Sequence, residues 1–93
     1  MSKMALVQVR TPTYKRPEAL RRCLQSLQAQ TWGNWVCDVY DDDPRGSAKA
    51  VCDALADPRI HFNHNRPQKF ASCNIDQCFS RDNPRSADYF CVA

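Results

Sequence analysis

A length of 93 residues limits the chain to one domain, and a chain of this size hides only about 60–70% of the surface it exposes when unfolded, so its core is modest. With 43% hydrophobic residues, 25% charged residues and two glycines, the composition excludes the disordered and collagen-like classes and predicts a folded domain. The net charge of +3 comes from basic residues scattered without a run of five, which gives no case for binding DNA or RNA and is neutral toward a phosphate-bearing ligand.

The first extended run covers residues 5–10 and ends in the breaker segment Thr11-Pro-Thr-Tyr-Lys-Arg-Pro17. Pro17 suits a first helical turn, and Leu20, Cys23, Leu24 and Leu27 then recur at helical spacing to about Gln30. A second strand over 35–40 leads into Asp41-Asp-Asp-Pro-Arg-Gly46, after which Ser47 is placed to cap a helix carrying Ala48, Val51, Cys52 and Leu55 on one face. Asp57-Pro58 ends that helix. A short strand over 59–63, a polar loop over 64–69, a weaker helix from about Phe70 to Phe79 and a last strand over 88–93 complete the order. Strands alternating with helices predict a Rossmann-like α/β domain, with a mainly parallel sheet and helices on both faces. Ligands of such sheets bind at the carboxyl ends of the strands, near the point where strand order reverses.

No apolar stretch approaches the roughly 18 residues of a membrane span and no signal-peptide core precedes the first strand, so no membrane span and a cytoplasmic location are expected. Six cysteines in a short chain raise the possibility of a disulfide framework. Their placement favours free thiols: Cys23, Cys52 and Cys78 fall on apolar helix faces, and Cys37 and Cys91 lie inside apolar strands.

Three consecutive aspartates at the end of a strand put carboxylates on the ligand-binding edge of the sheet. Three readings stand open: Asp41 to Asp43 cap the following helix and close a turn with Pro44; they hold a divalent cation; or one of them accepts the imide N–H of a nucleobase. Trp35 is expected to pack in the core, whereas Tyr14, in a loop, is available to a ligand.

The string from Thr11 to Pro17, the segment Leu20 to Trp35 with its Ser-Leu-Gln-Ala-Gln-Thr core, and Val39-Tyr-Asp-Asp together resemble the opening of inverting family 2 glycosyltransferases. The match is close over residues 6–42 and looser through Asp57-Pro-Arg-Ile60 and Asn74. The resemblance implies the front part of a GT-A type domain that binds a nucleotide-diphosphate sugar, expected to be a UDP-sugar, and transfers the sugar to an acceptor hydroxyl. It implies that Pro12, Thr13 and Tyr14 surround the nucleoside, that Asp42 contacts the base with Asp41 nearer the strand, and that Asn74 belongs to the site. Lys69 or Arg66 is implied to approach the diphosphate. Asp43 stands where the family usually has glycine or a small polar residue, and Lys15 replaces a common asparagine.

In the family an Asp-x-Asp motif that holds Mg²⁺ or Mn²⁺ follows the strand resembling residues 88–93. The expectation is therefore that residues 1–93 form the nucleotide-binding part only, that metal ligands and the catalytic base lie elsewhere, and that this stretch alone is inactive. Self-association through Tyr89, Phe90 and Val92 is also expected. Three competing readings come from other classes: a non-catalytic nucleotide-binding or assembly module, a small zinc-binding domain built on His61, His64, Cys73 and Cys78, and a receiver-like domain, whose acidic pair would follow the first strand instead.

Overall fold

The computed structural model describes residues 5–93, and residues 1–4 of the expected unit lie outside the described residues. Seven elements alternate along the chain: β1 (Val7–Thr13), α1 (Pro17–Gln28), β2 (Trp35–Asp41), α2 (Ala48–Leu55), β3 (Ile60–His64), α3 (Phe70–Cys78) and β4 (Tyr89–Val92). They form one four-stranded sheet in the order β3-β2-β1-β4, with every neighbouring pair parallel. The α/β sheet expected from the alternation is present, and strand order reverses at β1, between β2 on one side and β4 on the other.

Side chains alternate across a strand, so the register sorts the sheet into two unlike faces. Val9, Cys37, Val39 and Ile60 share one face with Leu20, Leu24 and Leu27 of α1 and Val51 and Cys52 of α2, and together they form the buried apolar core. Trp35 joins this core, 4% exposed, with the Arg59 guanidinium stacked 3.9 Å from its ring centroid. At about 25 cal/mol per Å² of apolar surface hidden, this face supplies most of the drive to fold.

The opposite face, covered by α3, is polar. Gln8, Arg10 and Asp38 are each no more than 3% exposed there. The Gln8 amide donates to Asp38 Oδ2 at 2.7 Å, and Arg85 donates to both Asp38 oxygens at 2.7 and 3.1 Å. Among the described residues Arg10 has no carboxylate partner. Its guanidinium donates instead to the Gln8 side chain and to the carbonyls of Cys78, Ser80 and Asp82, and it lies 3.9 Å from the centroid of the Phe90 ring. A cation beside the last carbonyls of α3 is well placed against the negative end of the helix dipole.

Several boundaries depart from the sequence reading, most by a single residue. β1 runs through Thr13, so Thr11, Pro12 and Thr13 are strand residues paired with Val39, Tyr40 and Asp41 rather than loop. β4 stops opposite Arg10, which leaves β1 with a single neighbour at Pro12, where a missing N–H is tolerated. α1 ends at Gln28, before Gln30. Ser47 makes no side-chain cap for α2; that role falls to Asp41.

Candidate functional site

The acidic loop is built from its backbone donors outward. Asp41 is fully buried, and its two oxygens accept the Asp43 N–H at 2.9 Å and the Ala48 N–H at 2.9 Å, which caps α2 from seven residues upstream. Asp43 Oδ1 accepts the Arg45 N–H at 3.0 Å and closes the turn with Pro44. The capping reading thus describes Asp41 and Asp43. Asp42 serves a different helix.

Asp42 is 2% exposed, and its oxygens accept the Lys69 and Phe70 N–H groups, each at 2.7 Å, together with the Asn65 side-chain amide at 3.0 Å. These donors belong to the loop after β3 and the first turn of α3, a helix whose own N-cap, Lys69, offers no side-chain cap. The Gln68 side chain is a further donor. Burial pushes the Asp42 carboxyl up, but these four donors outweigh it and hold it below the usual carboxylate range. A chain of amides extends the contact. Asn65 donates to Asn74 Oδ1 at 2.8 Å, Gln77 donates to both Asn65 and Asn74, and the Asn74 amide donates to the Tyr40 carbonyl at 3.2 Å.

Beside this cluster, at the carboxyl end of β1 where strand order reverses, lies a cleft of about 460 Å³. Thr11 to Tyr14 form its floor and rim, Arg16 and Leu20 of the α1 entry one wall, and Ala71, Asn74 and Ile75 of α3 the other. Tyr14 is 45% exposed, with Lys15 Nζ 5.2 Å from its ring centroid. Of the expected site residues, the cleft brings together Pro12, Thr13, Tyr14 and Asn74, while Asp41, Asp42 and Lys69 stand outside its lining. Among the described residues, no carboxylate or imidazole side chain lines it. Because all strands are parallel, Lys15, Arg16, Arg45, Arg66 and Lys69 follow the carboxyl ends of β1, β2 and β3 and rim the same edge.

Sequence reasoning missed Asn65, Gln77 and Arg16. Arg16 was within its reach, since a cation one residue before a helix-opening proline follows directly on the candidate loop. The zinc reading does not survive: no three His, Cys, Asp or Glu groups converge among the described residues. Cys73 is exposed while Cys78 is fully buried, and His64 Nε2 bonds the Asp43 carbonyl at 2.7 Å. All six cysteines are free. No helix among the described residues is long and apolar enough to cross a membrane.

Compared with models of protein families, residues 9–81 match that of glycosyl transferase family 2. Compared with curated proteins, the chain matches none.

Proposed function

The chain belongs to glycosyl transferase family 2, and from that premise we propose that the cleft at the end of β1 binds a nucleotide-diphosphate sugar, a UDP-sugar, for inverting transfer to an acceptor hydroxyl on a GT-A type domain. The observation that carries this is position: a cleft at the reversal of a parallel sheet, floored by Thr11 to Tyr14, with five cations along the same edge to attract a diphosphate. Tyr14 offers an exposed ring for the base or ribose to stack on, and Arg16 a guanidinium for the phosphates. Asn74, whose Oδ1 accepts from Asn65 and Gln77 and whose amide donates to the Tyr40 carbonyl, holds the α3 wall in place.

Asp42 takes the base in this proposal by exchange of donors. A carboxylate has about four lone-pair positions, and Asp42 already faces four donors. The Gln68 side chain is the donor free to swing away, so an imide N–H replaces it. Lys69 acts through its backbone N–H, with its ammonium left for the phosphates.

Magnesium or manganese, implied by the family, does not fit the acidic loop, because the oxygens of Asp41, Asp42 and Asp43 already accept N–H groups. The proposal places the cation with carboxylates other than these. It likewise assigns these residues to donor binding and not to removal of the acceptor proton, since no carboxylate or imidazole side chain among the described residues lines the cleft.

Titration of the chain with UDP, GDP and dTDP, with and without Mn²⁺, tests the reading by calorimetry. UDP is expected to bind, and Tyr14→Ala to weaken it by about tenfold, the value of one stacked base. A folded chain that binds none of the three overturns the proposal.

A further inference from the structure

Four residues other than glycine hold a positive φ among the described residues: Lys15 at 50°, Ala56 at 49°, Phe70 at 65° and Ser86 at 50°. A side chain in that region crowds its own backbone. Hydrogen bonds account for three of the four. Ala56 ends α2, its N–H shared between the Cys52 and Asp53 carbonyls. Phe70 gives its N–H to Asp42. Ser86 gives its N–H to the Asn83 carbonyl, inside a turn that the Asn83 side chain closes on Ala87. Lys15 differs: among the described residues, neither its backbone nor its ammonium makes a hydrogen bond or an ion pair.

The Lys15 side chain is nevertheless directed. Its Nζ lies over the Tyr14 ring, 5.2 Å from the centroid, and Tyr14 rims the cleft. Neighbours in an extended chain point to opposite sides, so the left-handed turn at Lys15 is what brings its side chain round to the ring of the preceding residue. The ammonium also lies in the field of Asp43. That carboxyl is held below its ordinary range chiefly by the Arg45 N–H and the Ser47 side chain, and the Lys15 charge adds to them. Asp43 is thus satisfied by the donors of its own turn, and its attraction orients the ammonium while leaving three N–H groups to give.

Backbone strain with no local structural account gathers where a ligand is held. We propose that Lys15 donates to the phosphate attached to the ribose of the bound nucleotide, an assignment that rests on the cleft being the nucleotide site. A base or ribose stacked on Tyr14 brings that phosphate beside the same ring, where the ammonium already stands. A lysine ammonium is a compact charge with rotatable donors and suits a single phosphate approached from one side.

Amide-shift titrations of the chain with uridine, UMP and UDP test this. Lys15→Asn removes the charge and places at this position a residue that accepts the left-handed conformation. It is expected to weaken UMP and UDP about tenfold each and to leave uridine unchanged, whereas Lys15→Arg keeps most of the phosphate affinity. Lys15→Met lacks the charge and keeps the backbone conflict. It is expected to bind like Lys15→Asn and to melt a few degrees below it, with Lys15→Asn melting no lower than the parent. UDP binding that Lys15→Asn leaves intact, an equal loss for uridine, or a loss for UDP without one for UMP overturns the role of Lys15 while the nucleotide reading stands. So does a Lys15→Asn variant that melts below the parent or together with Lys15→Met. A folded parent that binds none of the three overturns both.

Discussion

Asp41 shows how much one buried side chain can hold. Its oxygens are the partners of two backbone N–H groups out of reach of water, and a stranded buried donor costs about 1–3 kcal/mol. Asp41→Ala is therefore expected to lose about 3 kcal/mol of stability, and Asp41→Asn, which keeps one acceptor, about half of that, both read from urea denaturation midpoints. Asp42 separates binding from folding more finely. Gln68→Ala removes the one donor an incoming imide would displace, so its UDP affinity should equal or exceed the parent's, whereas Asp42→Asn should weaken binding by tenfold or more. Equal affinities for the parent and Asp42→Asn, measured by calorimetry, would remove Asp42 from the proposed base contact.

Among the elements, α3 is held at both ends from outside: Asp42 of the loop after β2 takes its first N–H groups, and Arg10 of β1 takes its last carbonyl, that of Cys78, and those of Ser80 and Asp82 just beyond. Arg10→Met should free the carboxyl end, speeding amide exchange over residues 70–82 while the β1–β2 core stays protected. Thiol chemistry reads the same architecture. Burial pushes Cys37 up to about 12 and Cys52 and Cys78 up to about 11, so iodoacetamide at pH 8 should modify exposed Cys73 and Cys91 long before these three, as peptide mass spectrometry would show. The elements were legible because their signals are local: Leu20, Leu24 and Leu27 recur at one helical face, and Trp35 to Tyr40 form an apolar and aromatic run broken only by Asp38. The caps were not. Ser47 carries the expected residue type at the expected place, yet Asp41 and Asp42 satisfy the two helix starts from a distance, and such pairing depends on sheet register that no short window contains. The cleft was legible as a loop, through Pro12 to Tyr14, while its far wall and the Asn65–Asn74–Gln77 chain arise only when α3 crosses the sheet.

At the scale of the molecule, three buried or paired carboxylates tie stability to pH. Asp38 is pushed up by burial but held below its ordinary range by Arg85 and Gln8; Asp42 behaves alike through its four donors; Asp57 is lowered chiefly by Arg59. A folded-state pKa below the unfolded one contributes stability that is fully present above the unfolded value, near 4, and is lost as pH falls through the folded values. Thermal midpoints should thus stay level from about pH 7 to pH 5 and then drop steeply below about pH 4. A flat profile to pH 2 would mean that these pairs form equally in the unfolded chain. Asp41 and Asp42 are neighbours in sequence, yet one secures a helix on the apolar face of the sheet and the other a helix on the polar face. A single peptide unit thereby registers the two layers against each other. Neither layer can slide or melt without straining the other's anchor, so the domain should unfold in one transition, and any ligand that settles on this loop is felt on both sides of the sheet at once.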